Sequence, residues 1–315
     1  MYTRLQSLTV FGALSLLLAT FLLPFLARPS KPQTEGQYLV ESVAICFECH
    51  SERDYSKPGW PIPPGRKGSG RILRGEGTSD VIVAPNISPD KETGIGAWTD
   101  DEIKRAIVGG IGRDGRQLFP EMPYHYFNLL NASELDAIVK YLRTIPRVKS
   151  SLPRMAQYVP GPNPPNVPMD SIQLTAHSDA IKRGQYLVRL AGCETCHTPR
   201  NAQGFIPGME FAGGSVFRHA DGEADAASNL TPDPTGISHV TEQHFIDVMR
   251  TGHSGDRQIN SAMPWLFYRN MTDSDLRAIF AYLSALPPIT HKIDNTRPPS
   301  FCPKCRNQHG LGNQN

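Results

Sequence analysis

Two stretches of the chain carry the same apolar stripe. Leu135, Ile138, Val139 and Leu142 recur as Leu276, Ile279, Phe280 and Leu283, an i, i+3, i+4, i+7 spacing that gathers four apolar side chains on one helix face. Start signals of capping-box type or a near variant, Asn131-x-x-Glu134 and Thr272-x-x-Asp275, precede the stripes, and Pro146 and Pro287 follow them. Upstream, Gly36-Gln37-Tyr38-Leu39-Val40 and Gly184-Gln185-Tyr186-Leu187-Val188 open two more helices, in which a glycine lets a partner helix cross closely. The elements read as helical in both halves, so the expected fold class is all-α. From Leu5 to Ala27 there are 23 residues without a charge, enough for a helix to span a hydrocarbon core of ~30 Å. No small-x-small cleavage site follows and Pro29 sits close behind. An uncleaved N-terminal transmembrane helix over residues 1–30 is therefore expected rather than a signal peptide removed in the periplasm.

The halves repeat in phrases as well as in pattern. Asn86-Ile87-Ser88-Pro89-Asp90 returns as Asn229-Leu230-Thr231-Pro232-Asp233, and Thr93-Gly94-Ile95 as Thr235-Gly236-Ile237. Arg116-Gln117 precedes Met122-Pro123-Tyr124 as Arg257-Gln258 precedes Met263-Pro264-Trp265. Residues 151–178 hold six prolines and read as a stiff connector. The expected organisation is an anchor at 1–30, domains at 36–150 and 179–290 joined by that linker, and a tail at 291–315.

Cys46-Phe47-Glu48-Cys49-His50 and Cys193-Glu194-Thr195-Cys196-His197 spell Cys-x-x-Cys-His, the attachment signature of c-type haem. Two thiols one helical turn apart can bond two arms of one porphyrin, and the adjacent histidine can take the iron. A zinc reading lacks the second ligand pair that such a site needs nearby. Only one methionine recurs in register, so Met122 and Met263 are the candidates for the distal position, each stiffened by a following proline. His125 is the local rival to Met122, but its counterpart is Leu266. Met155, Met169, Met209, Met249 and Met271 read as gap-fillers or surface residues, and Trp98 as packing. Arg116 and Arg257 are candidates to pair with haem propionates.

On these residues each half resembles a class I cytochrome c domain. The pair is similar to the multihaem cytochrome c subunits of bacterial membrane-bound alcohol and gluconate dehydrogenases, over residues 36 to about 288. The resemblance implies thioether bonds at Cys46, Cys49, Cys193 and Cys196, proximal His50 and His197, and distal Met122 and Met263. The two motifs give an expected two covalently bound haem c groups, one at each, and the resemblance implies a location outside the bacterial cytoplasmic membrane, where such haem is attached. Those subunits usually carry three haems and a C-terminal membrane attachment, whereas this chain has two motifs and its apolar run at the other end.

A haem ligated by His and Met has no open site, so the expected role is electron relay without catalysis. The expected donor is a dehydrogenase or quinol-oxidising complex, and the expected acceptor a cytochrome or terminal oxidase. The alternative is a dihaem enzyme of peroxidase or thiosulfate dehydrogenase type, against which the repeated Met-Pro loops argue. A net charge of +2 gives no reason to invoke nucleic acid. In the tail, Cys302-Pro303-Lys304-Cys305-Arg306 has arginine where a ligating histidine would stand. A short-range disulfide or free thiols is expected there, over a metal half-site completed by another chain.

Overall fold

The structure, a computed structural model, describes residues 33–74, 81–153, 155, 178–201, 204–218, 224–295, 297–298 and 300–310. The first half runs α1 (Glu35–Tyr38), a π-helical turn (Leu39–Val43), α2 (Cys46–Cys49), the hairpin β1 (Arg71–Arg74) and β2 (Ile82–Ala84), α3 (Asp100–Gly109), α4 (Tyr124–Phe127) and α5 (Ala132–Leu142). The second half opens with α6 (Asp179–Leu190), α7 (Cys193–His197) and two hairpins, β3 (Arg200–Asn201) with β4 (Gly204–Phe205) and β5 (Val216–Arg218) with β6 (Ala224–Ala226). It continues through α8 (Glu242–Thr251), the pair β7 (His253–Ser254) and β8 (Arg257–Gln258), α9 (Trp265–Tyr268) and α10 (Asp273–Ser284). A last hairpin pairs β9 (Ser300–Phe301) with β10 (Gln308–His309).

Two expectations of fold class need correction. The chain is not all-α, because five antiparallel two-stranded pairs punctuate the described residues. Strands of two to four residues are too short to show the alternation that marks a strand in sequence. No helix among the described residues is long and apolar enough to cross a membrane, so the N-terminal transmembrane helix is unsupported. The expected anchor at 1–30 lies outside the described residues, as does most of the linker at 151–178.

The helices that frame each half lie where the pattern put them. Asn131 and Glu134 form a reciprocal capping box at the start of α5, and Thr272 Oγ1 accepts from the Asp275 amide at the start of α10. Gly36 and Gly184 are the crossing points. A Cβ on Gly36 would lie 1.9 Å from the Ala137 carbonyl oxygen of α5, and one on Gly184 1.9 Å from that of Ala278 in α10. Nothing larger than glycine fits between these backbones.

One insertion explains the π-helical turn. Gly36 to Cys46 is ten residues, whereas Gly184 to Cys193 is nine. Ala44 N–H bonds back to the Leu39 carbonyl at 2.8 Å, an i→i−5 step that takes up the extra residue while the glycine and the cysteines keep their places. Ile45 then enters α2 at φ 41°, where the second half uses Gly192 at φ 67°.

One core serves both halves. Val40, Val43, Phe47, Ile138 and Leu142 share a continuous buried cluster with Leu187, Val188, Leu276, Ile279 and Leu283. Polar bonds across the halves are reciprocal. Tyr38 donates to Asp275 Oδ2 at 2.6 Å, and its counterpart Tyr186 donates to Glu134 Oε1 at 2.6 Å. Each carboxylate sits in the first turn of the last helix of the opposite half, so the repeat contacts itself as a two-fold pair does. Arg183 adds a two-point bond to Asp275, 2.9 Å at each oxygen.

Candidate haem-binding sites

Both Cys-x-x-Cys-His motifs fold as single helical turns entered through a left-handed residue. Ile45 at φ 41° precedes α2, and Gly192 at φ 67° precedes α7. The first cysteine of each motif, Cys46 and Cys193, packs against the core. All four thiols are unpaired and partly buried. Burial pushes the Cys46 and Cys193 thiols up to about 12 and Cys196 up to about 11. Cys49 rises well above its usual value through burial and then the Glu48 carboxylate, whose Oε2 accepts its S–H at 3.1 Å.

The two histidines are held alike. His50 Nδ1 lies 2.7 Å from the Pro85 carbonyl oxygen and His197 Nδ1 2.8 Å from that of Ser228. A carbonyl only accepts, so Nδ1 carries the proton and Nε2 keeps the lone pair that a metal needs. Burial lowers the pKa of both rings, which favours the neutral, ligating form.

The two methionine loops share one hydrogen-bonded frame. Met122 N–H bonds to the Phe119 carbonyl at 3.0 Å and Tyr124 N–H to that of Met122 at 2.8 Å; Met263 N–H bonds to Asn260 at 3.0 Å and Trp265 N–H to Met263 at 2.7 Å. Pro123 and Pro264 cap the following turns at φ −81° and −79°. Behind them the C-caps of α3 and α8, Gly110 at φ 62° and Gly252 at φ 70°, press on the ring that follows each proline. A Cβ on Gly110 would lie 2.5 Å from Tyr124, and one on Gly252 2.4 Å from Trp265. Both methionines are half-buried against the core. His125 sits between Tyr124 and Tyr126, with burial lowering its pKa. Trp98 packs against the core, as its sequence context implied.

The repeated arginines lie outside. Arg116 is exposed and 3.6 Å from Asp114, and Arg257 is exposed on β8. Arg53, which is buried, and the half-buried Arg71 stand beside the first motif instead. Arg53 donates to the carbonyls of Trp60, Gly59 and Glu48, and its guanidinium stands 4.9 Å from the Phe267 ring centroid. Arg71 Nη2 donates to the Glu48 carbonyl at 3.2 Å, while its Nε is buried without a partner. Sequence reasoning passed over both because neither lies in a repeated phrase. One signal was present: Arg53 and Arg200 each stand three residues after the motif histidine.

Each motif also touches the other half. Tyr126 on α4 donates to Glu194 Oε2 at 3.2 Å, inside the second motif. Phe267, the counterpart of Tyr126, covers Arg53 beside the first. The donor set fits a covalently attached porphyrin: paired thiols, one oriented imidazole and one thioether loop in each half, with unpartnered buried donors at Arg71 Nε and Trp265 Nε1.

No family model matches the chain. It is 30% identical over 88% of its length to a subunit of the nicotinate dehydrogenase of Pseudomonas putida, covering 24% of that protein. It is 27% identical over 84% of its length to the fructose dehydrogenase cytochrome subunit of Gluconobacter japonicus, covering 54% of it. A diheme cytochrome c-type protein of Cereibacter sphaeroides is 26% identical over 78% of the chain, with 82% of its own length covered. The chain thus resembles the cytochrome c subunits of bacterial dehydrogenases, those of alcohol and gluconate dehydrogenases among them. It spans about a quarter and about half of the first two relatives' lengths.

Proposed function

We propose that the chain is a dihaem c-type cytochrome that relays electrons, and does not itself catalyse a substrate reaction. Cys46, Cys49, His50 and Met122 would hold one haem, and Cys193, Cys196, His197 and Met263 the other. A haem at each motif supplies a one-electron iron couple, raised in potential by thioether ligation. The chain's own part is to fix and enclose. The thiols anchor the macrocycle, Pro85 and Ser228 carbonyls aim the two imidazoles, and Gly110 and Gly252 brace the loops that carry the thioethers. Arg116 and Arg257 are the proposed propionate partners, and Arg71 Nε and Trp265 Nε1 are further donors suited to the same carboxylates.

The observation that carries this reading is the duplication of one complete frame, imidazole orientation and methionine turn alike, in two halves that share a core. Two closed sites in one body suit transfer from a donor docked on one half to an acceptor docked on the other. The relatives' names support a dehydrogenase partner, here proposed as the donor; a quinol-oxidising complex is the other candidate donor, and the proposed acceptor is a cytochrome or terminal oxidase. The domains are proposed at 36–150 and 179–290, working on the periplasmic side where such haem is attached.

Carbon monoxide tests the closed state. Reduced, haem-loaded protein should carry two haems per chain, leave its optical spectrum unchanged under carbon monoxide, and fail to turn over peroxide. Carbon monoxide binding at one haem with peroxide turnover would make the chain a dihaem enzyme.

A further inference from the structure

The C-terminal tail holds chemistry that electron transfer does not use. Cys302 and Cys305 lie on the turn between β9 and β10, and His309 lies on β10 itself. The turn is tightly bonded: Cys302 N–H reaches the Asn307 carbonyl and Arg306 N–H the Cys302 carbonyl, both at 2.9 Å, with Arg306 at φ 60°. A fourth donor arrives from elsewhere in the chain. His291 Nε2 lies 3.4 Å from Cys302 Sγ, and His309 Nε2 lies 3.2 Å from Cys305 Sγ. One donor atom from each of the four residues falls within 4.8 Å of all the others.

We propose that His291, Cys302, Cys305 and His309 form a structural Zn2+ site that fastens the tail to the second half. Tetrahedral zinc, with bonds of about 2.3 Å to sulfur and about 2.0 Å to nitrogen, sets neighbouring sulfur and nitrogen ligands about 3.5 Å apart. Both sulfur–nitrogen contacts match that separation. Two soft thiolates with two imidazoles select zinc over magnesium or calcium. A two-iron cluster would part the sulfur pair from the nitrogen pair further than 4.8 Å allows. Four protein ligands also close the coordination sphere, as structural sites do.

Second-sphere geometry points the same way. His291 Nδ1 donates to the Ala212 carbonyl at 2.8 Å, which leaves Nε2 as the free donor. His291 and Cys305 are 2% and 0% exposed, so the cluster sits inside the protein rather than on it. The loop behind it is trimmed to make room, since a Cβ on Gly214 would lie 2.7 Å from His291 Cε1 and 3.5 Å from Cys305 Sγ. Among the described residues the hairpin at 300–310 has a small apolar footing. Its apolar contacts are Cys305 with Met209 and Ala212, bordered by Ile206, Ile289 and Cys302. A hairpin of two-residue strands cannot stand on so small a core, and a metal staple is the usual remedy.

The site is particular to the second half, and it lies close behind the second haem motif. His291 occupies the position of Ser150 in the repeat; each backbone N–H bonds to the counterpart threonine, Thr235 at 2.9 Å and Thr93 at 3.1 Å. In the first half no cysteine follows, and the chain runs into the proline-rich stretch. In the second, Gly213 N–H bonds to the His197 carbonyl at 2.7 Å one residue beyond Ala212. The clamp therefore stiffens the loop that backs His197. The expected disulfide or half-site for another chain gives way to a complete set of donors within one chain.

Elemental analysis with zinc K-edge absorption decides it, because neither signal is masked by haem iron. The full chain, given one equivalent of Zn2+ and dialysed, should retain one zinc per chain with a shell of two sulfurs and two nitrogens. Cys302→Ser and His291→Ala should each lower retained zinc at least tenfold, with the far-ultraviolet circular dichroism of the parent kept by at least one of them. Retention unchanged in both variants, a sulfur-free shell, or zinc-free protein carrying a Cys302–Cys305 disulfide by peptide mass would overturn the assignment.

Discussion

Gly184→Ala adds one methyl group at the point where α6 crosses α10. Its Cβ would stand 1.9 Å from the Ala278 carbonyl oxygen, against a contact floor of 3.0 Å, so the helices must part by about 1 Å. The obstacle is backbone and cannot rotate away. A gap of that size forfeits a quarter to a half of the dispersion energy at the facing contacts, which here involve Leu187, Val188, Leu276, Ile279 and Leu283. Overpacking of this kind costs about 1–3 kcal/mol, and the better helix propensity of alanine returns less than about 1 kcal/mol. A net loss near 2 kcal/mol lowers the melting temperature by roughly 3 °C in a chain of this size. Gly36→Ala should behave alike, because its Cβ meets Ala137 at the same 1.9 Å. Gly109→Ala, whose nearest neighbour is 3.9 Å away, reverses the sign and should gain up to about 1 kcal/mol. Thermal unfolding followed at the helical dichroism band reads all three. If Gly184→Ala melts within 2 °C of the parent, the close crossing is not what sets the packing of this fold.

Tyr186→Phe and Tyr38→Phe each remove a bond to a carboxylate of the other half and should cost about 1.5–3 kcal/mol by urea unfolding; a value near zero for both would deny the reciprocal interface an energetic role. Burial pushes the Glu194 carboxyl up to about 7 from 4.5. Its pKa is raised in the folded state, so its contribution to stability is complete below about pH 4.5 and is lost as pH rises through 7, up to about 3 kcal/mol. Urea midpoints of the parent should accordingly fall between pH 5 and 8 while those of Glu194→Gln stay level, and parallel curves would contradict the burial argument. Gly252→Ala drives a methyl into Trp265 at a left-handed position and should weaken the methionine-to-iron charge-transfer band of one haem while both haems stay attached.

What the sequence made legible follows from which constraints are local. The stripes at Leu135–Leu142 and Leu276–Leu283 fixed α5 and α10 because helical spacing and capping act within one or two turns. The crossing at Gly36 and Gly184 was readable because glycine inside a helix has few other uses. The hairpins were not, since strands as short as β3 and β7 are set by turns and tertiary contacts rather than by alternation. The buried Arg53 escaped notice because arginine usually marks a surface, and only the fold brings Phe267 from the other half over it. His291 escaped for a similar reason. It stands eleven residues before Cys302, outside any ligand spacing, and only the strap across Thr235 and Ala212 carries it to the cysteines.

The central claim is that two equivalent methionine loops close two haems. The measurement that tests it most directly is the methionine-sulfur-to-iron charge-transfer band of the oxidised protein, integrated per haem in the parent, Met122→Leu and Met263→Leu. The account predicts a full band for each of two haems in the parent, half of it in either variant and none in the double variant. A parent band worth one haem, or a band untouched by either substitution, would contradict it.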